Sequence, residues 1–182
     1  MTRPWPLLQS HPVFDAGVFR VFRDRAQSPR TGQARDFHVL HMADWLSVLP
    51  LTTSGQVVMV RQYRHGSRRD SLELPGGLHD GIDEQPDRGA ARELAEETGY
   101  ATDEPLQILG VLHPQPALLA NRAWIYLARN VSHRTPPRPD AGEDIDVVLL
   151  DAAEIGSRIA SGEIDNAMTL AALGLARIGG HF

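Results

Sequence analysis

The chain has no cysteine, which excludes disulfide staples and thiol nucleophiles. It has no apolar run near the roughly 20 residues that span a bilayer, and residues 1–10 lack the apolar stretch of a signal peptide. There is no excess of positive charge: the formal net charge is -5, which argues against general attraction to nucleic acid or anionic membranes. The eight histidines show no His-x3-His spacing; His38 and His41 fall on opposite faces of an expected strand and read as structural or surface residues. No internal repeat and no low-complexity block interrupts the chain. What remains is a 182-residue chain suited to one domain with a sizeable core and a small N-terminal extension. The expectation is a cytoplasmic protein that acts on a small molecule and binds neither nucleic acid nor membrane.

Apolar patterning predicts strands over 13–24, 36–42, 45–51, 56–63, 106–112, 123–130 and 145–150. A polar turn is expected at 26–31 and a hairpin turn at 52–55. Helices are expected over 86–98, 152–160 and 165–178, and the proline-rich stretch 134–140 reads as loop. Strands dominate the first half and helices flank them, which favours an α/β (α+β) sandwich. Met168, Leu170, Leu173, Leu175 and Ile178 of the last helix read as packing residues.

The chemistry concentrates between Leu74 and Tyr100. Leu74-Pro75-Gly76-Gly77 ends a strand in a tight turn. Glu84 follows, then Pro86, which suits the first turn of a helix, and Gly99 suits the residue just past its end. Between them Glu93, Glu96 and Glu97 stand at i, i+3 and i+4 and share one helical stripe. Like charges so spaced destabilise a helix unless something offsets them. A hard divalent cation, magnesium or manganese in its place, would do so, because it prefers carboxylate oxygens and substrate phosphates.

From Glu84 the frame runs Glu84, seven residues, Arg92-Glu93-Leu94, one residue, Glu96-Glu97, one residue, Gly99-Tyr100. This resembles the signature of the Nudix hydrolase family, Gly-x5-Glu-x7-Arg-Glu-U-x-Glu-Glu-x-Gly-U with U apolar. The match departs at one point: six residues separate Gly77 from Glu84, so the loop 78–83 carries one extra residue. Tyr100 occupies the last apolar position. Val60-Arg61-Gln62-Tyr63-Arg64 and Leu72-Glu73-Leu74-Pro75-Gly76-Gly77 look like the branch that includes ADP-ribose and NDP-sugar pyrophosphatases. The resemblance implies a Nudix-type α/β/α sandwich with a mixed sheet. It further implies an N-terminal β region, 1–50, that forms a homodimer, and a hydrolase domain over 51–182. The implied reaction is magnesium-dependent hydrolysis of the diphosphate bond of a nucleoside diphosphate linked to another moiety, giving a nucleoside monophosphate and a sugar phosphate. A nucleotide-binding sensor on the same fold and a hydrolase of another diphosphate are the alternatives.

On that resemblance the metal ligands are Glu93, Glu96 and Glu97, with the Gly76 carbonyl completing the set. Glu97 and Arg92 are expected in catalysis, Arg92 by orienting a glutamate. Arg61, Arg64 and Gly77 are expected to bind substrate, since arginine forks match phosphate oxygens; Arg68 and Arg69 read as a solvated pair. Glu84 is either a metal-linked carboxylate or a residue favourably placed at the positive end of the helix dipole. The general base is expected from the loop 134–145, Glu143 first and Asp144 next, against the simpler reading of an acidic, solvated loop. His113-Pro114-Gln115-Pro116-Ala117 stands where ADP-ribose pyrophosphatases commonly carry Pro-Ser-Pro-Gly and then a glutamate; no glutamate occurs from 117 to 130.

Overall fold

Asp15 and Gly17 divide what the apolar pattern predicts as one strand over 13–24. Gly17 takes φ +80° and its N–H donates to Asp15 Oδ1 at 2.8 Å, a local turn that competes with extended backbone. The chain therefore forms two strands, β1 (Leu7–Asp15) and β2 (Phe19–Gln27), which pair antiparallel. β2 runs into the turn expected at 26–31, which shifts to residues 28–33 and is closed by Ser28 N–H donating to the Gln33 carbonyl at 2.9 Å. β3 (Ala34–Met42) adds to β2, giving the order β1-β2-β3 among the described residues. In the computed structural model the described residues are 3–81 and 83–181. Ile82, in the loop 78–83 where the extra residue was counted, lies outside them, as do Met1, Thr2 and Phe182. The three strands belong to one compact unit, Met1–Asp44 with His113–Arg122. The proline-containing segment joins it through Leu40, whose N–H and carbonyl bond Leu118 and Ala120 at 2.9 Å each.

The second unit is Trp45–Leu112 with Ala123–Phe182. Its strands are β4 (Trp45–Thr52), β5 (Gln56–Arg64), β6 (Arg69–Glu73), β7 (Tyr100–Ala101), β8 (Gln107–Leu112), β9 (Ala123–His133) and β10 (Ile145–Asp151). Among the described residues the sheet path is β10-β5-β4-β9-β7, with β6 on β5 and β8 on β9. β4 and β9 are parallel and the other pairs antiparallel, so the sheet is mixed. The two-residue strand period sorts its side chains onto two faces. Leu49, Leu51, Val57, Met59, Ile125 and Leu127 go to one core, with Ile155, Ala172, Leu173 and Ala176. Leu46, Val48, Val58, Tyr126 and Ala128 go to the other, with Ala90 and Leu94. The central strands are apolar on both faces because both are covered.

The covering helices are α1 (Pro86–Thr98) on the second face and α2 (Ile155–Ala160) and α3 (Ala167–Ile178) on the first. The result is the expected α/β/α sandwich. α1 begins on Pro86 and ends on Gly99 in the left-handed region at φ +73°, whose N–H donates to the Ala95 carbonyl. A β-carbon at Gly99 would run into the Thr135 carbonyl, so the stop is fixed by packing as well as by conformation. Residues 152–160 begin as a 3-10 turn before α2, and residue 165 precedes α3 because Asn166 caps it.

Candidate active site

Leu46 hydrogen-bonds the Gly77 carbonyl and Val48 the Pro75 carbonyl, at 2.9 Å each. These bonds hold the turn after β6 against β4. A β-carbon on Gly76 would collide with the Leu46 carbonyl, and one on Gly77 would lie 2.6 Å from the Glu93 carboxylate. The two glycines are therefore the condition for α1 to lie close to the turn. Gly76 donates its N–H to Glu97 Oε2 at 2.9 Å, so turn and helix stripe are bonded directly.

The carboxylates of the stripe have unequal surroundings. Glu97 is 2% exposed, whereas the Glu93 and Glu96 side chains are 15% and 45% exposed. Arg92 reaches Glu96 at 2.9 Å, Glu93 at 3.0 Å, and Glu84 and Asp80 at 3.1 Å each. Its own pKa is driven up, chiefly by the hydrogen bonds to Glu84, and Glu84 is held below the usual carboxylate range by the same contact. Burial pushes Glu93 up to about 7, against the opposing charge of Arg92. Burial pushes Glu97 up to about 8; Gly76 N–H opposes this, and the charges of Glu143 and Glu93 reinforce it.

Two neighbouring carboxylates that repel each other, one buried and one partly buried, suit a hard divalent cation. Among the described residues no three His, Asp or Glu side chains already converge on one point. Magnesium does not need them to, since it takes one or two protein carboxylates and fills its shell with water and substrate phosphate. Glu93 and Glu97 are the carboxylates of this chain that suit it; Glu96 is more exposed and engaged by Arg92.

A cavity of about 860 Å3 opens over this arrangement. Gly76, Gly77, Arg92, Glu93, Glu96, Arg64 and Glu143 line it; Glu97 lies behind the lining, bonded to Gly76. Glu143 bonds the Asp140 N–H through Oε2 at 3.1 Å. Asp144 and Arg61 are not lining residues; Arg61 pairs with Glu163 at 2.7 Å. Arg64 is gripped by Glu73, with Nε and Nη2 donating at 2.8 and 3.0 Å, and this contact raises its pKa. Arg69, expected as a solvated residue, lines the cavity and pairs with Asp165. Glu84 anchors Arg92 and, through its carbonyl, the His79 ring at 2.7 Å.

Asp80, Glu73, Asp165 and Asn166 also line the cavity, although the sequence pattern assigns them no role. Glu73 carries a signal, because it stands in the run Leu72 to Gly77 that resembles the pyrophosphatase branch. Asp80 sits in the loop with the extra residue, where spacing gives no register. Asp165 and Asn166 lie more than ninety residues along the chain from their partners Arg69 and Glu73, and no local pattern announces them.

The raised carboxyls have a consequence for stability. Without metal, the folded chain keeps protons on Glu93 and Glu97 up to pH about 7 and about 8, whereas the unfolded chain releases them near 4.5. These two groups therefore contribute most stability below pH about 4.5, and that contribution falls as pH rises through both folded values. Thermal unfolding in EDTA should show this decline. Magnesium should raise the melting temperature more at pH about 8.5 than at pH about 6, because binding requires the ionised carboxylates.

A family model described as NUDIX domain matches residues 41–173. An ADP-ribose pyrophosphatase of Mycobacterium tuberculosis is 32% identical over 167 residues, covering 90% of this chain and 79% of the relative. An ADP-ribose pyrophosphatase of Bacillus subtilis is 28% identical, covering 88% of this chain and 86% of the relative. A solved structure described as an ADP compounds hydrolase superposes with a TM-score of 0.84 at 20% identity, covering 97% of this chain and 94% of that one. At that identity the likeness shows the fold.

Proposed function

Because this chain belongs to the Nudix hydrolase family, we propose that it hydrolyses the diphosphate bond of a nucleoside diphosphate linked to a sugar, ADP-ribose first and NDP-sugars next. The observation that carries this reading is the placement of the buried Glu97 and the partly buried Glu93 against the Gly76-Gly77 turn of a cavity that also holds Arg64 and Glu143. The ADP-ribose pyrophosphatases among its relatives support the substrate class.

Glu93 and Glu97 would hold magnesium, with Glu96 and the Gly76 carbonyl as further oxygen donors, and manganese would serve in its place. When bound, the cation polarises phosphoryl oxygens and neutralises charge that develops on them. Arg64, fixed by Glu73, presents its remaining N–H donors to phosphate. Gly77 lets the phosphate chain approach the backbone. Arg92 keeps Glu93 and Glu96 in place. Glu143 takes a proton from the attacking water. The water oxygen bonds to one phosphorus, the anhydride P–O bond breaks, and its electron pair leaves with the other phosphate. The products are a nucleoside monophosphate and a sugar phosphate. A panel of ADP-ribose, NDP-sugars and dinucleoside diphosphates, with products separated by chromatography, tests the class. ADP-ribose or an NDP-sugar should give the highest kcat/KM; a preference for another diphosphate would reassign the substrate, and tight binding without products would favour a sensor.

Residues 1–50 are proposed to form a homodimer. β1 is exposed along its whole length and carries Leu7, Leu8, Val13 and Phe14 at 48–59% exposure, an apolar edge that favours pairing. Sedimentation velocity should give about twice the monomer mass, and Phe14→Asp should shift it to monomer. A cytoplasmic location goes with this reading. Among the described residues no helix is long and apolar enough to cross a membrane.

A further inference from the structure

We propose that Asn166, at the start of the C-terminal helix, is a positioning residue for substrate phosphate, acting through Glu73 on Arg64. The proposal rests on reading the cavity as a diphosphate site.

Asn166 has two roles, carried by different atoms of one amide. Its Oδ1 accepts the N–H groups of Met168 and Thr169 at 3.0 Å each, capping α3. Its Nδ2 donates to Glu73 Oε2 at 3.0 Å. The same Glu73 oxygen accepts Arg64 Nη2 at 3.0 Å, while Oε1 accepts Arg64 Nε at 2.8 Å. Glu73 is 5% exposed, so its carboxylate is costly to bury unless its lone pairs are filled. Asn166 and Arg64 supply three donors to them. The bond from Asn166 helps fix the plane of the carboxylate, and with it the direction of the guanidinium fork that the carboxylate grips.

A second tie runs beside the first. Leu74 N–H donates to Thr169 Oγ1 at 3.0 Å, and both residues are buried. The first turn of α3 thus fixes Glu73 and Leu74 together, directly before Pro75-Gly76-Gly77. A helix-capping role alone requires only Oδ1. It does not require Nδ2 to face a buried carboxylate that carries a cavity-lining arginine. Arg64 lines the same cavity as Glu93 and Glu143, so its orientation decides whether its free donors face a phosphate bound there. A loose Arg64 would lose that fork geometry.

Asn166→Ser separates the two roles, because serine caps as well as asparagine and has no amide donor. The measurement is titration calorimetry with ADP-ribose in EDTA, where metal-assisted turnover does not interfere, alongside thermal unfolding. Arg64→Ala should weaken binding roughly ten- to a hundredfold, the loss of a bidentate charged contact. Asn166→Ser should weaken it about three- to tenfold, the effect of one hydrogen bond to a charged group, with a melting temperature close to that of the parent. In the Arg64→Ala background Asn166→Ser should have no further effect on binding, since the two act as one unit. Equal weakening by Asn166→Ser in both backgrounds would overturn the proposal, as would unchanged binding in the parent background. If Arg64→Ala itself leaves binding unchanged, or the parent chain does not bind ADP-ribose, the reading of the cavity falls and this inference falls with it.

Discussion

Glu97→Gln is expected to abolish turnover while leaving a folded protein. Substitutions that only disturb the supports of a metal ligand cost about 10–100-fold, so replacing a ligand should exceed about 100-fold in kcat. The fold should survive because glutamine keeps the size of the side chain and an acceptor for Gly76 N–H, which Glu97 now binds at 2.9 Å. Moreover, the substitution removes a buried group that resists ionisation. In EDTA above pH about 8 the variant should melt no lower than the parent, and the melting-temperature gain with magnesium should shrink. Steady-state kinetics and unfolding on the same preparations read both effects. Turnover retained by a folded variant would remove Glu97 from the metal site and from catalysis.

Arg92→Ala is expected to damage both stability and activity. Arg92 is ion-paired with Asp80, Glu84, Glu93 and Glu96, and its side chain is 28% exposed. Removing it leaves Glu93 and Glu96 as neighbouring like charges on α1, and Asp80 and Glu84 beside them, without their shared guanidinium. The half-buried position places the cost between that of surface and buried pairs, about 1–3 kcal/mol, or roughly 2–4 °C in melting temperature per kcal/mol for a chain of this size. Activity should fall about 10–100-fold, because Glu93 and Glu96 lose the group that orients them. Arg92→Lys should recover part of the stability and less of the activity, since an ammonium cannot reproduce the fork. A variant with parental kcat/KM would confine Arg92 to a structural role.

These two substitutions lie in the part of the chain that was most readable from sequence. α1 carries its own punctuation in Pro86 and Gly99, its stripe follows from the helical period, and the buried strands are bounded by turn residues. Those signals are local, so they survive folding. Other features were hidden because they arise from contacts between distant segments or from weak local energies. The turn that divides β1 from β2 rests on two local hydrogen bonds, Gly17 N–H to Asp15 Oδ1 and Ala16 N–H to the Phe19 carbonyl. β7 is two residues long and exists through pairing with His133 and Ser132. Arg61 and Arg64 looked equivalent in sequence, yet an odd spacing along β5 puts them on opposite faces. Only Arg64 lines the cavity, and Arg61 binds Glu163. Glu73 and Asn166 meet only after β6 and α3 have docked. Thus the helical stripe, the glycine turn and Arg64 were legible as cavity residues, whereas Asp80, Glu73, Asp165 and Asn166 reach the cavity through the loop before α1 and through tertiary contacts.

The most direct measurement is product analysis after incubating the purified protein with ADP-ribose, once with magnesium and once with EDTA. AMP and ribose phosphate are expected in equal amounts with magnesium, and no products with EDTA. Equal product formation under both conditions, or no cleavage of any nucleoside diphosphate derivative with either magnesium or manganese, would contradict it.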